Sequence, residues 1–216
     1  MTDINAILPI VLLSFYISGT ATIIGTMLGV PLGTFLGLKK FRGKRVFKTI
    51  VFTLYGFPPV VMGLFIFLLL SASGPLGFAR QLFTPTAMIL AETLLVLPLV
   101  VGITMSSVGA VDKNTSDTIY SLGASKGQAL LLHLKEAKNG IYTAVMVGFG
   151  AAISEVGAAM MVGGNIAGET RVLTTAVVLE TRMGNFDTAI LLGVILLAVS
   201  AFVYFLLVML GEHGDE

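Results

Sequence analysis

Gly163, Gly164 and Gly168, followed by Glu169 and Thr170, have the glycine and hydroxyl spacing of a phosphate-cradling loop, G-x-x-x-x-G-K-[ST]. That chemistry needs the lysine, whose ammonium group reaches the β- and γ-phosphates. Glu169 stands in its place, and a carboxylate there repels phosphate. A second glycine-rich run, from Gly37 to Arg45, has one residue too many between its glycines and arginine where serine or threonine belongs. Neither run reads as a nucleotide site. If ATP powers this protein, the ATPase is another chain.

Other groups with chemical potential are two carboxylates and a set of hydroxyls inside apolar stretches. Glu92 and Glu155 are ionisable groups in segments otherwise suited to hydrocarbon, where such residues are costly and therefore candidates for function. A bare negative charge would repel an anion, so the expected role of both is structural. Glu155 is expected to be held by backbone donors, hydroxyls or an arginine, with Arg171 and Arg182 as candidates; the alternative is a gate that breaks such a pairing. Thr104, Ser106, Ser107 and Ser154 are candidates for lining a path, because hydroxyls and helix N-termini can hold a tetrahedral anion without full countercharge. The competing reading is that each hydroxyl bonds to its own or a neighbouring helix. His133 and His213 have no ligand partner at metal spacing, and cysteine is absent, so neither a metal site nor a cofactor site is expected.

These residues sit in a chain built for a bilayer. Of its 216 residues 56% are hydrophobic and 12% charged, with a mean hydropathy of +0.96, against roughly 25% charged in a soluble domain. The formal net charge of +1 offers no basis for nucleic-acid binding by overall basicity. Crossing ~30 Å of hydrocarbon takes about 20 mainly apolar residues. Five stretches qualify: about Ala6 to Leu38, Lys48 to Ser71, Thr86 to Gly109, Ile141 to Val162 and Thr188 to Leu210. The first is too long for one straight span; Gly19, Gly25, Gly29, Pro31 and Gly33 give it places to bend, and it counts as one crossing or two. In the second, Pro58-Pro59 removes two helix donors and is expected to break or kink the span within the membrane. The fold class expected is all-α, a polytopic bundle of about five transmembrane helices in a single domain, 1–216.

Lysine and arginine set the orientation, since cytoplasmic loops hold the excess. Lys39, Lys40, Arg42, Lys44, Arg45 and Lys48 follow the first span, and Lys113, Lys126, Lys135 and Lys138 follow the third. Only Arg80, Arg171 and Arg182 remain for the other side. The N-terminus is thus expected outside and the C-terminus in the cytoplasm. The run KKFRGKR can also recruit anionic lipid or nucleic acid, but beside a span the topogenic role comes first. No basic residue precedes the first apolar run, so a cleaved signal peptide is not expected.

The cytoplasmic segment 112–140 is too patterned for a simple turn. It reads as two helices about Gly123, the second capped by Ser125 with Gln128 at the capping-box position. The run Asp117-Thr-Ile-Tyr-Ser-Leu-Gly-Ala-Ser-Lys126 resembles the coupling loop of ABC importer permeases, usually E-A-A-x-x-L-G-A-S. The fit covers Leu122 through Ser125; Asp117-Thr118-Ile119 departs from it, and the usual I-x-L-P ending is missing. The alternative reading is an amphipathic helix pair resting on the bilayer. The stretch Ala152 to Asp187, with Phe57-Pro-Pro-Val-Val-Met-Gly63, resembles the permeases of tungstate importers, relatives of the molybdate and sulfate permeases.

What that resemblance implies is an ABC importer type I permease fold, a homodimer with its pore on the two-fold axis, two ATPase subunits and an extracytoplasmic oxyanion-binding protein, in a prokaryotic inner membrane. Asp117, Ser121, Leu122, Gly123, Ala124 and Ser125 would then meet the ATPase, and the outer segment 163–187 would form a short or re-entrant helix at the mouth. A molybdate or sulfate permease is the near alternative. An ATPase-independent secondary transporter is the more distant one, which the lack of an internal repeat disfavours.

Overall fold

The computed structural model describes residues 4–39, 41–111, 121 and 123–212, and among these it is all-α with no strand. Nine α-helices occur in the described residues: α1 (Ile4–Leu38), α2 (Lys44–Tyr55), α3 (Pro59–Leu70), α4 (Pro85–Gly109), α5 (Lys126–Glu136), α6 (Lys138–Ile153), α7 (Gly157–Gly163), α8 (Leu173–Arg182) and α9 (Phe186–Glu212). Three helices, α1, α4 and α9, are long and apolar enough to cross a membrane unbroken. The pairs α2/α3 and α6/α7 are each bent, by 99° and 56°, and bring the number of spans up to five if each pair is one.

The α1 helix is continuous over 35 residues with Pro9 and Pro31 inside it. The glycines expected to bend it have a different use. Gly25, Gly29, Gly33 and Gly37 recur every fourth residue and so share one face. A β-carbon added at Gly25 would lie 2.7 Å from Val96 Cγ1, and one at Gly29 2.7 Å from Val100 Cγ1. At Gly33 it would lie 2.5 Å from the Val101 carbonyl oxygen, and at Gly37 3.0 Å from that of Met105. The facing residues Val96, Val100, Thr104 and Val108 repeat at the same spacing on α4 and are almost fully buried. Small residues matter here because lipid tails supply no hydrophobic drive between helices, leaving close backbone approach and dispersion to hold them.

The expected break at Pro58-Pro59 is present and sharp. Pro58 is the extended residue before α3, and Pro59 opens it where the missing N–H is harmless. The α2 helix, which buries none of its residues, leaves α3 at nearly a right angle. Its last residue, Tyr55, lays its ring against Gly102 of α4 and donates its hydroxyl to the Leu99 carbonyl at 3.1 Å.

The fourth span differs from the continuous helix expected over Ile141 to Val162. It breaks at 154–156, and α7 tilts away from α6. The local cause is competition for the helix ladder. Ser154 donates its hydroxyl back to the Gly150 carbonyl at 2.6 Å, and the Glu155 carboxylate accepts the Ala158 N–H at 2.8 Å. The tertiary cause is α3, against which the tilted α7 packs: a β-carbon at Gly63 would lie 2.7 Å from the Ala158 α-carbon.

Candidate functional site

The two helix breaks are neighbours. Gly157, the first residue of α7, sits so close to Val60 in the first turn of α3 that an added β-carbon would be 2.5 Å from Val60 Cγ2 and 3.4 Å from its amide nitrogen. Gly63 meets Ala158 and Met161, so the two half-helices run in the same direction from adjacent starts. Gly56, Pro58, Pro59, Val60 and Ser154 are exposed around them. The start of α7 is already capped by the Glu155 carboxylate, which accepts the Ala158 N–H at 2.8 Å, so the start of α3 is the positive end left open beside it, an arrangement that favours negative charge there. The sequence carried a signal for one of the two breaks, Pro58-Pro59, but none for the break at 154–156, and nothing in it showed that the breaks adjoin.

Behind the breaks lies a polar interior where α1, α4, α7 and α8 meet. Glu155 is 8% exposed; besides the amide bond of its carboxylate, its backbone carbonyl accepts the Thr174 hydroxyl at 2.8 Å. Neither arginine considered for it is its partner. Arg171 instead donates to Asn165, Nε to the side-chain oxygen and a terminal nitrogen to the carbonyl, each at 3.3 Å, and Arg182 is exposed at the far end of α8. Glu92 is 2% exposed, with Ser18 of α1 as its hydrogen-bonding side-chain neighbour and Glu155 close enough to act on it electrostatically. Its Oε2 has no partner among the described residues. Ser14 of α1 accepts the Leu173 N–H at 2.8 Å and thereby caps α8, whose first turn, Leu173 to Ala176, is buried.

The four hydroxyl candidates separate. Thr104 is fully buried against Gly33, with its Oγ1 unpartnered among the described residues, so it lies in the α1–α4 interface and lines no open path. Ser107 donates to the Ile103 carbonyl at 2.9 Å and touches Gly140 at the start of α6, another helix contact. Ser106, in the last turn of α4, is exposed. Ser154 is also exposed and stands at the break itself, the one hydroxyl of the four beside the paired helix starts.

The glycine loop that imitates a phosphate cradle is closed on itself. Thr170 donates its hydroxyl to the Gly163 carbonyl at 2.6 Å and accepts the Ile166 N–H at 2.9 Å. Gly164, Asn165 and Gly168 take left-handed backbone angles around this tie, which turns the chain from α7 back into α8. Phe83, itself left-handed, packs its ring on Gly164 and donates its N–H to the Val162 carbonyl at 2.8 Å.

At the opposite end, Asp117 and Leu122 lie outside the described residues, as does the helix expected before Gly123. Gly123 is left-handed, with φ 78°, and among the described residues a side chain there would meet nothing within 4 Å. Ser125 and Gln128 form the capping box. Ser121, Gly123 and Ser125 are exposed and Ala124 half-buried. The α5 helix buries Ala129 and His133, with Ala137 just past its end also buried, and leaves Leu130, Leu131 and Leu132 exposed.

A family model described as "binding-protein-dependent transport system inner membrane component" matches residues 29–212. The chain belongs to that family. Among curated relatives, the tungstate uptake system permease protein TupB of Peptoclostridium acidaminophilum is 45% identical over 88% of this chain and 84% of its own length. A probable anion ABC transporter permease protein of Haloferax volcanii is 42% identical over 91% of this chain and 87% of its own. A probable molybdenum ABC transporter permease of the same organism reaches 28%. The crystal structure of an amino acid ABC transporter with histidines superposes with a TM-score of 0.67 over 95% of this chain and 92% of that one, at 17% identity, and so shares the fold. This family member is accordingly a multi-pass membrane component of a transport system.

Proposed function

We propose that this chain is the permease subunit of an ATP-driven importer that carries an oxyanion, tungstate, from an extracytoplasmic binding protein into the cytoplasm. The observation that carries the substrate is the 45% identity, along 88% of the chain, to a tungstate uptake permease. Molybdate permeases are more distant at 28% or below. The path proposed is the exposed surface where α3 and α7 begin, since the open start of α3, and a Ser154 hydroxyl turned from the Gly150 carbonyl toward the path, would suit a tetrahedral dianion without trapping it on a fixed countercharge. Two copies of this surface would face each other across a two-fold axis. Two ATPase subunits would dock on the segment around Gly123 and on the exposed leucines of α5, with the N-terminus outside and the C-terminus inside.

Glu155 serves this path by structure. Its carboxylate occupies the Ala158 amide and fixes the α6/α7 break, so that the anion passes beside the site without meeting a bare charge. Glu92 is likewise a structural member of the interior. Purified complex should contain two copies of this chain with two ATPases, and its cognate binding protein should prefer tungstate over molybdate and sulfate; a transport-competent single copy, or a binding protein that prefers sulfate, contradicts the reading.

A further inference from the structure

One cavity lies apart from the path. It has a volume of about 570 Å³ and opens between the first half of α1 and the loop joining α7 to α8. Its walls are Pro9, Ile10, Leu12 and Leu13, with the Tyr16 phenol on one side and Ala167, Gly168 and Arg171 on the other. Arg171 is the charged residue of the lining. Asn165 engages two of its nitrogens, and among the described residues the remaining N–H donors have no protein partner.

The depth of the cavity decides what can reach it. The α1 helix is 35 residues long, roughly 50 Å at 1.5 Å per residue, whereas the hydrocarbon core takes about 20 residues. Its other end is fixed at the opposite surface by Lys39, Arg42 and Lys44, so on the face away from α5 Pro9 falls among the headgroups and Tyr16, about 10 Å deeper, nearest the hydrocarbon. Tyr16 is exposed there, as expected of an aromatic at the interface. Leu8 and Leu12 beside it are also exposed, giving that end of α1 an apolar surface open to lipid.

We propose that this cavity holds an anionic phospholipid of the leaflet opposite α5, its phosphate on the Arg171 guanidinium and the top of its acyl chain against Leu13 and Tyr16, the lining residues nearest the bilayer centre. A free oxyanion suits the site poorly, because beyond the Arg171 guanidinium and the Tyr16 phenol the side chains of Pro9, Ile10, Leu12 and Leu13 give it no donors. A lipid matches both halves, charge to the guanidinium and hydrocarbon to Leu13 and Tyr16. Bound there, it would tie α1 to the loop that positions α8, and its loss would loosen that loop without touching the path.

The test uses the purified whole complex in delipidated detergent, offered phosphatidylglycerol or phosphatidylcholine and read by native mass spectrometry and thermal shift. Phosphatidylglycerol should be retained about fivefold better, in line with the attraction of one basic residue at a membrane surface. Arg171→Gln should abolish that preference. Because it also cuts the tie to Asn165, Ala167→Phe is the second variant; it fills the cavity and leaves Arg171 in place, and it should abolish retention too. Equal retention of both lipids, unchanged retention in Ala167→Phe, displacement of the lipid by tungstate, or a disulfide joining Leu12→Cys between two copies in place of lipid each overturns the proposal.

Discussion

Val60 and Gly157 belong to different spans, yet the Val60 side chain occupies the space where a β-carbon of Gly157 would be. This contact joins the two breaks into one site. Gly157→Leu should wedge α7 off α3, at a cost of about 1–3 kcal/mol of packing. Uptake should fall because the start of α7 is displaced from α3, while the ATPase stays bound. Normal uptake in a well-expressed variant would remove the paired breaks from the path.

Glu155 can be probed by size and by charge. Alanine deletes the acceptor of the buried Ala158 amide, and an unsatisfied buried donor costs about 1–3 kcal/mol. Glu155→Ala should therefore lower the thermal stability of the complex. Glu155→Gln keeps an acceptor and should retain both the fold and part of the uptake. If alanine leaves stability unchanged while either variant alters anion preference, the residue lines the path instead.

The glycine face of α1 predicts a sharp contrast. Gly29→Leu drives a side chain into Val100 and should abolish accumulation of folded protein, whereas Gly19→Leu, with nothing within 4 Å of its β-carbon, should be tolerated. Thr104→Val removes a buried hydroxyl that has no partner among the described residues, and it should keep wild-type uptake and gain stability. Loss of uptake in Thr104→Val at normal yield would return that hydroxyl to the path.

Gly123 combines a left-handed backbone with open space around it among the described residues. A β-branched residue is strained there whatever the room. Gly123→Val should uncouple ATP hydrolysis from uptake or release the ATPase, with the spans still inserted. Coupled transport at the normal rate in this variant would exclude the segment from energy transfer.

Much of this architecture could be read from residue types alone. Apolar run lengths mark the spans, and Pro58-Pro59 marks its own break, because a missing N–H is a local fact. The capping box at Ser125 and Gln128 is legible for the same reason. The break at Glu155 was not, since it depends on α7 leaning on α3, a contact between residues nearly a hundred positions apart. Gly25, Gly29 and Gly33 were read as bending points although, together with Gly37, their fourfold spacing matches that of Val96, Val100, Thr104 and Val108. The partner helix, invisible in one segment taken alone, turns a flexible stripe into a packing face. The burial of Thr104 against Gly33 was hidden for the same reason.

The central claim is that this permease carries tungstate at the expense of ATP hydrolysed by a partner. Its most direct test is tungstate accumulation in proteoliposomes containing the complex, with the binding protein outside and ATP enclosed. The account predicts uptake that requires both ATP and the binding protein and that excess molybdate or sulfate suppresses only weakly. Uptake that proceeds without ATP, or that carries sulfate in preference to tungstate, would contradict it.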